Sequence, residues 1–270
     1  MDLPSYTSFE CSGREALFLF QLMNIPEADQ LIRDLNDPPL EGKQAECMYK
    51  QVVNRLVKDS VIEVEGGQVT IDPQVHNLLM GCKLSSAVTR LDLHIADGES
   101  SVIYGFLSGM QIVEWVWTPT RDQALLSSFE ELQDLFQLMG NRIELPDTAE
   151  EMMRTPIQAE TLQQLSALPI GSDFETMQSI LQQDHHLNES LINKLSHAFA
   201  TIRRRGQFDV YTRGTEGKSQ TIYFLGSTDG NWLFLEGKDT DLTAFKVTEE
   251  ELVQSLFLLT TRSLSMLPAV

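Results

Sequence analysis

The 270-residue chain has few cysteines: Cys11, Cys47 and Cys82, with no CxxC pair. An odd set spaced 36 and 35 residues apart is not a disulfide framework, so reduced thiols in a reducing compartment are expected. Positive charge is scarce as well. Lys+Arg number 20 against 39 Asp+Glu, a net charge of −19. That balance repels phosphate backbones and anionic lipid, which argues against nucleic acid and membranes as partners. Long apolar runs are missing. Stretches such as residues 16–20 fall far short of the roughly 20 residues a membrane helix needs. The start, MDLPSYTSFECSGRE, has an acidic second residue and lacks the apolar core of a signal peptide. A cytoplasmic protein without membrane insertion is the expectation, and the Asn188-Glu189-Ser190 sequon then has no consequence.

Catalytic signatures are also absent. No GxGxxG, GxxxxGKS/T or HExxH occurs. The segment 226–230 carries its serine one place too early for a GxSxG elbow, and its flanks read as a hairpin. Asp184, His185 and His186, with His197, form the one histidine cluster. His186 and His197 lie eleven residues apart, about three helical turns, so one helix cannot bring both to one ion. His94 falls on the polar side of its strand. The acids Glu130–Glu131 and Glu249–Glu251 sit where first helical turns favour negative charge. No catalytic residue, cofactor or metal site is expected, and no enzyme.

What is present is a 42% apolar, globular composition and a passage that occurs twice. Residues 101–138 and 220–259 share an order about 120 residues apart. Ile103 and Tyr104 align with Ile222 and Tyr223. The strand with Trp115 and Trp117 aligns with that of Trp232 and Phe234. Ser128…Glu131 and Thr248…Glu251 each read as a capping box before an apolar helix.

Taken in order, residues 1–11 read as a loose leader. Ser12 and Glu15 box a helix to about residue 24, Pro26 opens a second helix to 35, and Pro38-Pro39 break the chain. A helix over 41–58 carries a stripe of Ala45, Met48, Tyr49, Val52, Leu56 and Val57. A hairpin over 61–71 turns at Gly66-Gly67, and Asp72-Pro73 starts a helix to 83. This outline is winged-helix-like. Lys43, Lys50, Arg55 and Lys58 would suit DNA, but Glu63 and Glu65 on the wing would meet phosphates.

Strands follow over 91–95, 101–107 and 111–117, the last ended by Thr118-Pro119. Residues 120–126 read as a short strand or loop, Ser128 caps a helix, and Gly140 stops it. Prolines 146, 156 and 169 punctuate short helices over 148–154 and 159–167. They place a boundary between lobes 1–140 and 141–270. Asp173 caps a helix to 183. A longer helix over 188–205 ends in Arg203–Arg205, stopped by Gly206. Strands over 208–213, 218–225, 231–236 and 242–247 precede a last helix from Thr248 to about 262, with 263–270 frayed. The fold class read from this is α+β. Pseudo-twofold β-β-β-α units form a central, mainly antiparallel sheet flanked by helices, with a winged-helix-like N-terminal part. Whether the two copies pack within one chain or form a dimer face stays open.

The layout resembles the EspG family, cytosolic chaperones associated with ESX (type VII) secretion. The residues that carry it are 14–23, then 56–64 running into Val69-Thr70-Ile71-Asp72-Pro73, then strands 91–117 and their echo over 208–245. The resemblance implies a pseudo-twofold fold and binding, without catalysis, of secreted helical-hairpin substrates such as PE–PPE heterodimers. The expected contact surface is the 226–231 hairpin tip, the helix over 188–205 and an aromatic sheet side. Its partner-binding residues are Tyr211, Tyr223, Asp229, Asn231, Trp232, Phe234, Trp115 and Trp117. Aromatic area on an uncovered sheet face is a partner site. The alternative is a winged-helix transcriptional regulator with a C-terminal sensor lobe.

Overall fold

The computed structural model describes residues 7–35, 42–109, 111–118, 120, 122–146, 153–214, 219–236 and 241–265. The Pro38-Pro39 break, Pro119, Lys218, residues 148–152 of one expected helix, and the end from 266 lie outside them. The chain divides into two compact units, Met1–Thr89 with Ser101–Leu135, and Arg90–Ser100 with Phe136–Val270. No described helix is long and apolar enough to cross a membrane.

In the first unit, β1 (Ser8–Ser12) precedes α1 (Gly13–Leu22), α2 (Ala28–Asp34) and α3 (Gly42–Lys58). The hairpin β2 (Ile62–Glu65) and β3 (Gln68–Ile71) leads to α4 (Pro73–Lys83) and β4 (Ala87–Ile95), within which the chain passes to the second unit. Strands β5 (Ser100–Leu107), β6 (Ile112–Trp117) and β7 (Gln123–Phe129) follow. β5, β6, β7 and β1 pair antiparallel in that order. The expected leader is thus an edge strand from Ser8 onward, with Phe9 opposite Leu126.

Ser12 caps α1 as read. Its hydroxyl accepts the Glu15 N–H at 3.3 Å, and Glu15 accepts the Ser12 N–H at 2.8 Å. Burial and the neighbouring Glu15 and Glu10 carboxylates push the Cys11 thiol up, so it stays protonated and inert. Asp72 caps α4, with proline in the first turn. The α3 stripe is only half used: Val52 and Leu56 are buried, whereas Tyr49 and Val57 are exposed.

The second unit opens, after α5 (Leu132–Ile143), with β8 (Arg154–Gln158), α6 (Ala159–Ala167), α7 (Phe174–Leu181) and α8 (Glu189–Ala200). Strands β9 (Ile202–Thr212), β10 (Gln220–Ser227), β11 (Gly230–Glu236) and β12 (Asp241–Val247) precede α9 (Glu249–Ser265). β9, β10, β11, β12 and β8 pair antiparallel in that order. β8 was not expected. Pro156 lacks an N–H, and β8 closes the series as an edge, where proline is tolerated.

Two expectations fail for one reason: long-range pairing outweighs a local helix signal. Ser128 does not cap a helix. It lies in β7 opposite Val113, with its hydroxyl bonded to the Thr7 backbone, and α5 begins at Leu132. Arg203–Arg205 do not end a helix. α8 stops at Ala200, and the three arginines lie in β9, where Arg204 and Arg205 pair with Gly226 and Leu225 of β10 and Arg203 sits at a shift of register. Gly206 is then mid-strand, where an added Cβ would stand 2.4 Å from Phe224 Cζ and 3.0 Å from the Asp92 carbonyl. Gly140 is no stop either. It lies inside α5, and its missing side chain makes room for Val253 of α9.

Each run of strands ends in a helix, and the central hairpins share a register. Tyr104 faces Trp115 and Tyr223 faces Phe234, each separated by the same offset of 119 residues (223 less 104, 234 less 115).

Gly206→Ala is expected to lower stability by about 1–3 kcal/mol through overpacking. A urea midpoint measures the loss. Thr248→Ala, which deletes the box formed with Glu251, is expected to cost about 1 kcal/mol in the same assay.

Candidate partner-binding surface

Alternation along each strand decides which side chains can meet a partner. In the first unit Trp115 and Trp117 point under the helices. Phe20 of α1 stands edge-on to Trp115 at 4.3 Å, Trp117 follows at 5.3 Å, and both indoles are 0% exposed. This aromatic sheet side is covered.

In the second unit, Trp232 and Phe234 on β11 join the core built with Leu195, Ala198 and Phe199 of α8, Leu162 and Leu165 of α6, and Met177 and Leu181 of α7. They are each 1% exposed. Asn231 is buried too, its amide donating to the Pro146 carbonyl at 2.9 Å. Five of the eight expected contact residues are therefore interior groups in this structure. The accessible ones are Tyr211 and Tyr223, half-buried, and Asp229, exposed. The hairpin tip is the pair Thr228-Asp229, and the Asp229 carboxylate accepts the Thr201 hydroxyl at 2.8 Å. The expected 188–205 helix contributes only as far as Ala200.

Tyr223 lines a cavity of about 200 Å³ with Leu162, Ser166, Phe199, Arg205 and Gln207. Burial, then Asp209 and Glu236, push the Tyr223 phenol up, and burial pulls the Arg205 guanidinium down. Arg205 donates to the Leu168 carbonyl at 2.9 Å. This arrangement fastens the α6 end to the sheet.

The opposite face of β11 was not singled out from the sequence. There Leu233 and Leu235 stand beside Phe245, Leu233 directly opposite it. With Met153, Val247 and Leu258 of α9 they line an open groove of about 660 Å³. Arg154, Lys246, Glu251, Gln254 and Ser255 also line it, and the Arg154 guanidinium lies 5.3 Å from the centre of the Phe245 ring. Leu258 is 64% exposed, the most exposed large apolar side chain among those described. An apolar trough with a charged lip fits an amphipathic helix. The sequence signal was in plain view: Leu258 follows Leu256 and Phe257, so the last helix is apolar around more than one face.

The DNA-reader alternative places its basic residues on α3, where Lys43, Lys50, Arg55 and Lys58 are exposed, with Arg55 3.4 Å from Glu15. Glu63 and Glu65 are exposed on the small hairpin. Of the histidine cluster, Asp184, His185 and His186 come together in the turn between α7 and α8, while His197 packs on Phe174 at 4.5 Å.

No protein-family model matches the chain, and no curated protein matches it. Among solved structures, it is similar to the Mycobacterium tuberculosis type VII secretion system chaperone EspG5, determined in complex with a PE25–PPE41 dimer. The TM-score is 0.65 at 11% sequence identity, covering 97% of each chain. At that identity the likeness is one of fold, and the α+β fold expected from the EspG resemblance is the fold found.

Proposed function

We propose that the chain is a non-enzymatic cytosolic chaperone that holds a helical-hairpin secretion substrate of a type VII system. The observation that supports this most is the fold shared over nearly all of both chains with a chaperone solved on its PE–PPE client. The groove between β11, β12 and α9 would receive an apolar helix face, with Leu258 and Phe245 as anchors and Lys246 and Glu251 at the rim. Tyr211 on β9, Tyr223 on β10 and Asp229 in the β10–β11 turn form a second candidate surface. We also read the two strand–helix passages as copies of one ancestral unit, supported by the matching Tyr104–Trp115 and Tyr223–Phe234 register.

The test is affinity capture from native cytosol with the tagged full chain, followed by mass spectrometry. Recovery of a small secreted helical-hairpin protein is expected, reduced at least tenfold by Leu258→Asp, a change at an exposed position that leaves thermal melting intact. If Tyr211→Ala abolishes recovery and Leu258→Asp does not, the substrate sits on the other surface. Undiminished recovery with both variants overturns the proposed sites, and absence of any such client overturns the chaperone reading.

Trp232→Ala is unsuited to such a test. Emptying a fully buried tryptophan site costs about 3–5 kcal/mol, a large share of the roughly 5–15 kcal/mol that holds a domain folded. Loss of the cooperative melt is the expected result.

A further inference from the structure

The turn between α7 and α8 holds an arrangement the chaperone reading does not use. The Asp184 side chain is fully buried. One of its oxygens accepts the Gln158 N–H at 2.8 Å, and the other accepts the His186 N–H at 3.0 Å. His186 lies with Nδ1 3.4 Å from Asp184 Oδ1 and Nε2 3.6 Å from Asp241 Oδ2, at the start of β12. His186 Nδ1 is shielded from solvent and has no hydrogen-bond partner among the described residues. The His185 ring is tilted against that of His186, centroids 4.0 Å apart, and its Nδ1 lies 3.0 Å from the Gln158 amide nitrogen. Ligand atoms of Asp184, His185 and His186 all fall within 4.8 Å of one another.

With its proton on Nε2 toward Asp241, His186 leaves an unpartnered Nδ1 lone pair beside a carboxylate oxygen. Two electron-rich atoms at that distance repel unless a positive charge lies within reach of both. We propose that this charge is a divalent metal ion of the zinc class, held by Asp184, His185 and His186, with Asp241 orienting His186 from behind. Two imidazoles and a carboxylate are the donor set that zinc favours. Zinc–ligand bonds of 2.0–2.2 Å set tetrahedral ligand atoms about 3.3 Å apart, near the closest separation here and reachable for the others by small rotations of the exposed His185 ring. A carboxylate on the far nitrogen of a ligating histidine fixes its tautomer and raises its basicity. The ion would tie the α7–α8 turn to the sheet edge, through Asp184 to β8 and through Asp241 to β12. The site shares no residue with the apolar groove.

The experiment is calorimetric titration of the full chain with Zn²⁺ near neutral pH, in a Cys47→Ser background that removes the exposed thiol. One ion per chain is expected, raising the melting midpoint. His185→Gln, at an exposed position, and His186→Gln should each weaken binding tenfold or more. Asp241→Asn should weaken it about tenfold through loss of the orienting contact. Absence of saturable binding, or equal affinity in both histidine variants, overturns the proposal. A melting midpoint that ignores zinc also overturns it.

Discussion

Covering a sheet on both faces is the constraint from which the second unit follows. Side chains on β11 alternate, so Trp232 and Phe234 go to α8 while Leu233 and Leu235 go to the α9 side. A one-residue slip would exchange these sets, leaving the tryptophan without its cavity and the leucines without α9. Both faces are apolar, so β11 reads as a continuous hydrophobic run rather than an alternating strand. The helices must then be unequal to the task if any surface is to remain for a partner. α9 lies against β9, with the Phe136 ring in edge contact with both Phe208 and Phe257. Toward β12 its cover thins, and there the groove opens.

Local chemistry was legible and remote chemistry was not. The capping boxes at Ser12 and Thr248, the Asp72-Pro73 and Asp173 helix starts, and the glycine hairpin after Glu65 each depend on residues a few places apart. The Ser128 box has the same letters as the Thr248 box and is not used. The backbone around Ser128 is claimed by β6 and the N-terminal strand, 15 and 121 residues distant. Arg203–Arg205 suit a helix end as well as any sequence can, yet β10 takes them. No inspection of a single window could weigh those partners.

Five of the candidate contact residues lie in the interior for a related reason. Aromatic side chains on a strand advertise area without saying whether it is already covered. Phe20, some ninety residues before Trp115 in sequence, covers it, and α8 does the same for Trp232. What remained exposed was aliphatic and helical, Leu258, in a segment whose apolar residues read as ordinary core. The Asp184–His185–His186 cluster was visible as a run of letters, but not its setting. His197 lies elsewhere, on Phe174, and Asp241 reaches His186 from a strand more than fifty residues later.

The three tryptophans carry a further implication. Nε1 of Trp115, Trp117 and Trp232 is buried without a hydrogen-bond partner among the described residues. Each such N–H forfeits water at a cost of about 1–3 kcal/mol, so volume rather than hydrogen bonding must favour tryptophan at these places. In both units the largest side chains stand on the hairpin beside the register-matched Tyr104–Trp115 and Tyr223–Phe234 pairs. Bulky groups there set the height of the helices above the sheet, while the groove beside β12 opens near the sheet margin. On the proposed chaperone reading, a helix face would enter that trough without rearrangement of the aromatic core, because the trough and the core lie on opposite faces of β11.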